Sequence, residues 1–392
     1  MVLSTMKIKT LLCIDPLQDY ELIDCDLLRQ LGVSPFFLIK DELKFVKDRE
    51  NLLVSSFSFE ELLAICDSFR PDYIVCFSED MFVDIAKIRE KLNIAGMSLN
   101  TAMLLSHKDL MYQKLEGLFS YPKTTSLIHS PNLKLIKEKL SVEEIFIKPI
   151  NSSGSYETYH IKTEEEFCNF ITNKKESDDK YIVQAYVGDD LYHSELAVFD
   201  RSILFVEARK YTHPNHLMVS KNLPIFSLNV LDAHQRKLIL DASVNVCQLL
   251  EFNNGVLHTE FFMSEDGYIQ FIETNARPPG IGLNKLYQKK YSISLETILC
   301  CIVCEVEPPR LVKNKSHYVC GYFPRKNGVI KKINKPELSV QNEWTLFVRP
   351  DDTSEQMAHM SKSAMVICWD DSITKINQTG NFLAEQDIVE IY

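Results

Sequence analysis

The stretch YIQFIETNARPPG, residues 268–280, decides how this chain is read. Its first half has the composition of a β-strand, in which successive side chains point to opposite faces. Glu273, Asn275 and Arg277 therefore share one face, and Ile272, Thr274 and Ala276 share the other. Upstream, VLHTEFFM (256–263) is a second strand run, joined to the first by SEDG (264–267), whose Asp-Gly is a strong hairpin signal. His258 and Glu260 share a face of that strand. If the two polar faces coincide, Glu260 and Glu273 meet. Two carboxylates about 4 Å apart repel by roughly 4 kcal/mol at an effective dielectric of about 20, so such a pair either traps a proton or recruits a cation. Hard oxygen ligands beside an Asn amide favour Mg²⁺ or Mn²⁺ shared with substrate phosphates. Arg277 would pair with a phosphate or carboxylate oxygen. A plain solvent-facing hairpin would alternate with Lys or Thr and gives no reason for NARPPG at the strand end.

Working outward, EEIFIKPINSSGSYETYHI (143–161) and KYIVQAYVGDD (180–190) read as two strands flanking a loop. Lys148 shares a face with Phe146, while Ile145 and Ile147 cover the other, so a cation sits at the end of a partly buried strand and calls for an anion. The loop NSSGS (151–155) is small and hydroxyl-rich, a composition that lets backbone amides close over phosphate oxygens and that also suits an ordinary turn. Farther upstream, Ser106 and Asp109 have capping-box spacing, which predicts a helix from near His107 to about Gly117 with Lys108 in its first turn. There Lys108 would complement a bound phosphate; a solvated surface lysine is the plain alternative.

The rest of the chain supplies the frame. Its 392 residues suit two or three domains, and 45% apolar residues suit ordinary globular cores. In the first hundred residues KIKTLLCID, SPFFLIK and DYIVCFS read as strands, and SFEELLAICDSF and VDIAKIREKL as helices, an α/β unit with a mostly parallel sheet. YHSELAVFDRSILFVEARKY (192–211) is a hairpin turning at Asp200 and Arg201, and after residue 308 strand-like runs resume. The Pro-rich EVEPPRLVKNK marks a boundary. A net charge of −11 argues against a nucleic-acid or membrane-surface binder. No apolar run approaches the roughly 20 residues of a membrane helix. Eleven cysteines scattered through apolar segments fit a reducing compartment, the cytoplasm, and CCIVC (300–304) lacks the second ligand pair that a structural zinc site needs. Neither a P-loop nor a dinucleotide fingerprint is present.

FIKPINSSGS, VQAYVGDDLYHSE, LHTEFFM and FIETNARPPG, in this order, resemble the ATP-grasp superfamily, specifically its carboxylate-amine ligase branch near biotin carboxylase and the L-amino acid ligases. The resemblance spans roughly residues 70 to 330, with LSHKDLMYQKL similar to the helix before the nucleotide domain. It implies an α/β (α+β) chain in four parts: a Rossmann-like pre-ATP-grasp domain (1–105), a small lobe with a flexible Gly/Ser loop (106–187), a large lobe with the metal site (188–307) and a β-rich C-terminal subdomain (308–392). By the same resemblance Lys108 and Lys148 hold ATP phosphates, and Ser152, Ser153, Gly154 and Ser155 form the mobile loop over them. Ala185 and Val187 meet the adenine edge through their backbone, with Gln184 where the family often has Glu. His193 or Glu195 reaches the ribose, and Glu260, Glu273 and Asn275 carry two Mg²⁺ ions. Arg277 and Lys148 stabilise the transferred phosphoryl group.

The chemistry so implied joins a small carboxylate to an amine through an acyl phosphate, with release of ADP and phosphate. Arg209 and His213, in EARKYTHPNH, are candidate substrate contacts together with Arg277, and the PPGIGLN loop containing Gly280 is a candidate wall. Expected partners are small-molecule acids and amines, with neither nucleic acid nor membrane. Relatives are often dimers, which makes a homodimer the assembly to look for. Two other readings are a bicarbonate-activating carboxylase relative and a non-catalytic ATP-binding regulator. Retention of both lysines, both glutamates, Asn275 and Arg277 argues against the second, because a regulator needs no acid pair.

Overall fold

The computed structural model describes residues 8–17, 20–40, 50–54, 56–127, 131–152, 156–174, 180–280, 282–355 and 361–392. The N-terminal strands fold as expected: Lys9–Ile14, Val33–Ile39 and Tyr73–Cys76 pair in parallel, and Glu50–Leu53, which the sequence pattern did not reveal, adds an edge. Lys9–Ile14 is central and buried on both faces. Leu12 and Ile14 enter one core with Leu62 and Ile85, whereas Leu11 and Cys13 enter another with Leu28 and Leu299. This two-sided burial is why a parallel strand reads as a continuous apolar run. The helices Phe59–Phe69 and Phe82–Leu92 cover one side. The other side receives Leu295–Val303, where Cys300, Cys301 and Cys304 are buried among hydrophobes and burial pushes the Cys301 thiol up to about 12.

The capping-box reading at Ser106 is corrected. Ser98 caps a helix Leu99–Ser106, and Ser106 ends it by donating its hydroxyl to Ala102 O at 2.7 Å. His107 breaks the run without a side-chain cap, and Lys108–Leu115 starts afresh. Lys108 is still in a first helical turn, but by a different route.

The small lobe is a four-stranded sheet in the order Thr124–Ser126, Tyr181–Ala185, Ile145–Pro149, Tyr159–Ile161. Its rear is packed by Leu133–Leu140 and by Glu164–Asn173, whose Thr163 and Glu166 complete a capping box. Strand alternation sends Ile145 and Ile147 into that core and leaves Phe146 and Lys148 on the opposite face, lining a pocket.

The large sheet has eight antiparallel strands in the order Ile269–Asn275, Gly255–Met263, Asp190–Phe199, Ser202–Tyr211, Ile225–Asn229, His317–Pro324, Lys362–Asp370, Gln341–Leu346. Asp200 and Arg201 both have positive φ, 47° and 62°, as a tight hairpin turn requires. Three strands from beyond residue 308 extend this sheet, so the Pro-rich segment separates stretches of chain without separating sheets. The junction is close: Gly321 faces Phe226, and a Cβ there would lie 2.2 Å from Ile225 O. The helix Ala233–Leu249 packs on one face of the sheet, and Leu283–Tyr291 with Leu295–Val303 pack on the other. Among the described residues no helix is long and apolar enough to cross a membrane.

Candidate active site

The hairpin of the opening stretch brings its polar faces together. Glu260 pairs directly with Glu273 across the strands, and His258 pairs with Asn275. Directly opposed residues on antiparallel strands project from the same face. A bulge between Glu260 and Phe261 interrupts the ladder beside this pair.

Two lysines arrive from the other side. Lys108 Nζ lies 3.1 Å from Glu273 Oε2 and also donates to Ser152 O. Lys148 is 5% exposed, donates to Tyr112 Oη at 3.3 Å and sits 5.9 Å from the centre of that ring. Burial pushes the Lys148 pKa down, while Glu273 and Glu260 act in the opposite sense. Burial alone would raise Glu273, but Lys108 and Lys148 hold its carboxyl below the usual carboxylate range. The pocket between the lobes is lined by both lysines, both glutamates, Ser152 and the segment Gln184, Ala185, Tyr186 and Val187.

The donor set suits a divalent cation. Asn215 Nδ2 donates to Glu260 Oε1 at 2.9 Å, leaving its own Oδ1 buried and without a hydrogen-bond partner among the described residues. A carboxylate pair with an orphaned amide oxygen beside it is hard-ligand chemistry. Asn275 and Glu273 open together into an adjoining recess with Glu79, Asp80 and Lys108.

Arg277 is anchored by Glu79, with Nε donating to Oε2 at 2.8 Å and NH1 to Pro278 O at 3.1 Å. Burial opposes its charge, but Glu79 more than offsets this and raises its pKa. Glu79 Oε1 is buried and has no hydrogen-bond partner among the described residues. Burial and Glu79 together raise the pKa of Asp80. Glu79, Asp80, Tyr112 and Asn215 were missed from sequence. Only the acid pair in FSED carried a readable signal.

Several expected contacts are placed elsewhere. The Ala185 amide already donates to Lys123 O at 2.8 Å, and Gln184 Nε2 donates to Thr124 Oγ1 at 2.9 Å, so these two donors are used within the lobe. Val187 lines the pocket. His193 and Glu195, the ribose candidates, are corrected: both are fully buried. His193 Nδ1 lies 2.8 Å from Glu195 Oε1 and Nε2 lies 2.9 Å from Ser227 Oγ. Glu195 also meets His258 Nδ1 at 2.9 Å and accepts from Tyr287 Oη. Arg209 is likewise no substrate contact. It is fully buried, with Nε on Ser227 Oγ at 2.7 Å and NH2 on Ser227 O and Tyr318 O at 2.9 and 2.8 Å. His213 is tied to backbone, its Nε2 2.6 Å from Pro224 O. Gly280 is exposed, its carbonyl accepting from Leu283 N at 3.0 Å. Ser153, Gly154 and Ser155 lie outside the described residues.

No protein-family model matches the chain. Over 317 residues it is 27% identical to the L-arginine-specific L-amino acid ligase of Bacillus subtilis, covering 78% of this chain and 73% of that protein. Its fold superposes on the L-amino acid ligase of Bacillus licheniformis with a TM-score of 0.72 at 13% identity, over 99% of this chain and 100% of the other. It also superposes on the biotin carboxylase domain of the 2-oxoglutarate carboxylase of Hydrogenobacter thermophilus, solved with MgADP and bicarbonate, with a TM-score of 0.66 at 12% identity over 97% and 91%.

Proposed function

We infer that this chain, whose fold is that of the ATP-grasp ligases, is an ATP-dependent carboxylate-amine ligase. One observation carries the reading: two buried lysines from the small-lobe side converge on a cross-strand pair of glutamates, inside a pocket bounded by the Gln184–Val187 segment. This is the charge distribution needed to hold a nucleotide's terminal phosphates with a divalent ion.

The acid is a small carboxylate of the amino-acid class, and the product an amide or dipeptide. One carboxylate oxygen attacks the γ-phosphorus of ATP, and ADP departs. The amine nitrogen then attacks the acyl carbon, phosphate leaves, and the nitrogen gives up a proton. Lys108 and Lys148 offset the negative charge that spreads over the transferring group. Glu260 and Glu273 would hold Mg²⁺, with Asn275 and the Asn215 carbonyl within the same ligand field. The ion would supply further charge neutralisation. Arg277 is fixed by Glu79, which lines the recess, and would meet the acid's carboxylate from there. The recess acids Glu79 and Asp80 suit an incoming ammonium. The free cysteines, ten of them buried, accord with a reducing cytoplasm.

Incubation with ATP, Mg²⁺ and pairs of amino acids should release ADP and phosphate in equal amounts with a new amide. Release of AMP instead, or no turnover across a broad acid and amine panel, would overturn the reading. ADP release that needs bicarbonate and no amine would favour a carboxylase relative.

A further inference from the structure

A second cavity, of about 340 Å³, lies between the N-terminal α/β unit and the large lobe and shares no lining residue with the nucleotide pocket or its adjoining recess. That volume is within the range of small-ligand sites, roughly 300–1,000 Å³. Much of the wall is apolar, with Phe252, Leu299 and Val303 among its residues. A cation is set into it: Arg89, on the helix Phe82–Leu92, is 8% exposed.

Arg89 has few partners. NH2 donates to Ile74 O at 2.7 Å, while Nε is buried without a hydrogen-bond partner among the described residues. Among the described residues its electrostatic neighbours are the thiols of Cys76 and Cys66, which burial keeps neutral, and no carboxylate. The acids on the cavity rim are engaged elsewhere, Glu251 with Lys114 Nζ at 2.6 Å and Glu305 accepting from Tyr73 Oη at 3.2 Å. Burial pushes the Arg89 pKa down to about 10, which leaves it a cation at neutral pH. A buried charge without a counterion is costly, and keeping one at the wall of a cavity needs a reason.

The surroundings favour an anion. The helix Leu99–Ser106 begins at this cavity, and its cap residue Ser98 and first-turn Thr101 both line it, bringing hydroxyls and the positive end of a helix dipole. Gly96 makes the arrangement sterically feasible: its φ is +144°, and a Cβ there would lie 2.8 Å from Arg89 Nε.

We propose that this cavity binds a small amphipathic carboxylate, its acid group on Arg89 and the Ser98–Thr101 turn, its apolar body against Phe252 and Leu299. Ser98 Oγ and Thr101 Oγ1 are 3.0 Å apart, so one proton is shared between them and the other, with the guanidinium, can meet one carboxylate; Phe252, Leu299 and Val303 suit an apolar body. Ala276 forms part of the wall and is flanked by Asn275 and Arg277, so an occupant rests against the back of the candidate active site. The proposal is independent of the ligase reading, because its readout is direct binding.

The test is calorimetry on the full chain with hexanoate and 3-phenylpropanoate, the matched alcohols and inorganic phosphate. At least one acid should bind, its alcohol about tenfold or more weakly, since a hydrogen bond to a charged group is lost. Arg89→Met should lose acid binding while melting no lower than the parent, because an uncompensated charge has been removed. Val303→Trp, which fills the cavity from the other wall, should also lose it. The proposal is overturned if neither acid binds, if phosphate binds and the acids do not, or if the acid binds Arg89→Met as it binds the parent. An Arg89→Met protein that melts well below the parent would also overturn it, by showing that the guanidinium is a structural tie to Ile74.

Discussion

Two parts of one sheet face carry the same kind of residue and behave differently. Glu273, Glu260, His193 and Arg209 form one row across four strands, and Asn275, His258, Glu195 and Glu207 form the next. At the Glu273 end the polar groups open into a pocket, Lys148 has no ion-pair partner among the described residues, and the Asn215 carbonyl is orphaned. At the Arg209 end Tyr287, Lys290 and Tyr291 from the helix Leu283–Tyr291 close over the row, and the charges are satisfied internally. Strand alternation produces a polar layer in both places. Whether it serves a ligand or the fold depends on what packs on top.

That contrast can be broken or sharpened by substitution. The largest effect is expected at the closed end, where Arg209→Ala should lower unfolding stability by about 3–5 kcal/mol in urea titrations, since it leaves the buried acceptors Ser227 Oγ, Ser227 O and Tyr318 O without their donor. Next, at the open end, Glu273→Gln should reduce ADP release about a hundredfold while costing less stability than Arg209→Ala, because Gln keeps an acceptor for Lys108 and removes the repulsion with Glu260. Equal stability losses at the two ends would erase the distinction. Lys148→Met is a milder test: ATP affinity should fall about tenfold by calorimetry, with the ligand-free melting temperature unchanged or raised.

The smallest effect is a pH slope at the boundary between the two ends. Burial works against a charged His258, but Glu195 and Glu260 push its pKa up to about 9 from 6.5. A raised folded-state pKa gives stability that is fully present below 6.5 and is lost as pH rises through about 9. The metal-free protein should therefore lose a few degrees of melting temperature over that interval, and His258→Gln should flatten the slope.

The open end was legible in the sequence because hairpin pairing is local. SEDG closes the hairpin, and the bulge between Glu260 and Phe261 then shifts the register by one residue so that Glu260 meets Glu273; alternation alone puts Phe146 and Lys148 on one face. Arg209, His193 and Glu195 were misplaced for the complementary reason. Their fate is decided by Tyr287, Ser227 and Tyr318, which lie far away in sequence and carry no local signal. Glu79 was invisible as a partner of Arg277 because 198 residues separate them. The edge strand Glu50–Leu53 is only four residues long, too short for a periodic pattern, and the His107 break hides a helix end inside what reads as a cap.

The route by which the eight-stranded sheet is threaded bears on how the protein is made. Ile225–Asn229 is followed along the chain by 87 residues before His317–Pro324 emerges to pair with it. During synthesis its free backbone edge is left bare, and a bare edge is a template for pairing with other chains. Ribosomes that stall in this interval should release aggregating fragments, and chaperone supply should govern the yield of intact protein more strongly than its final melting temperature does.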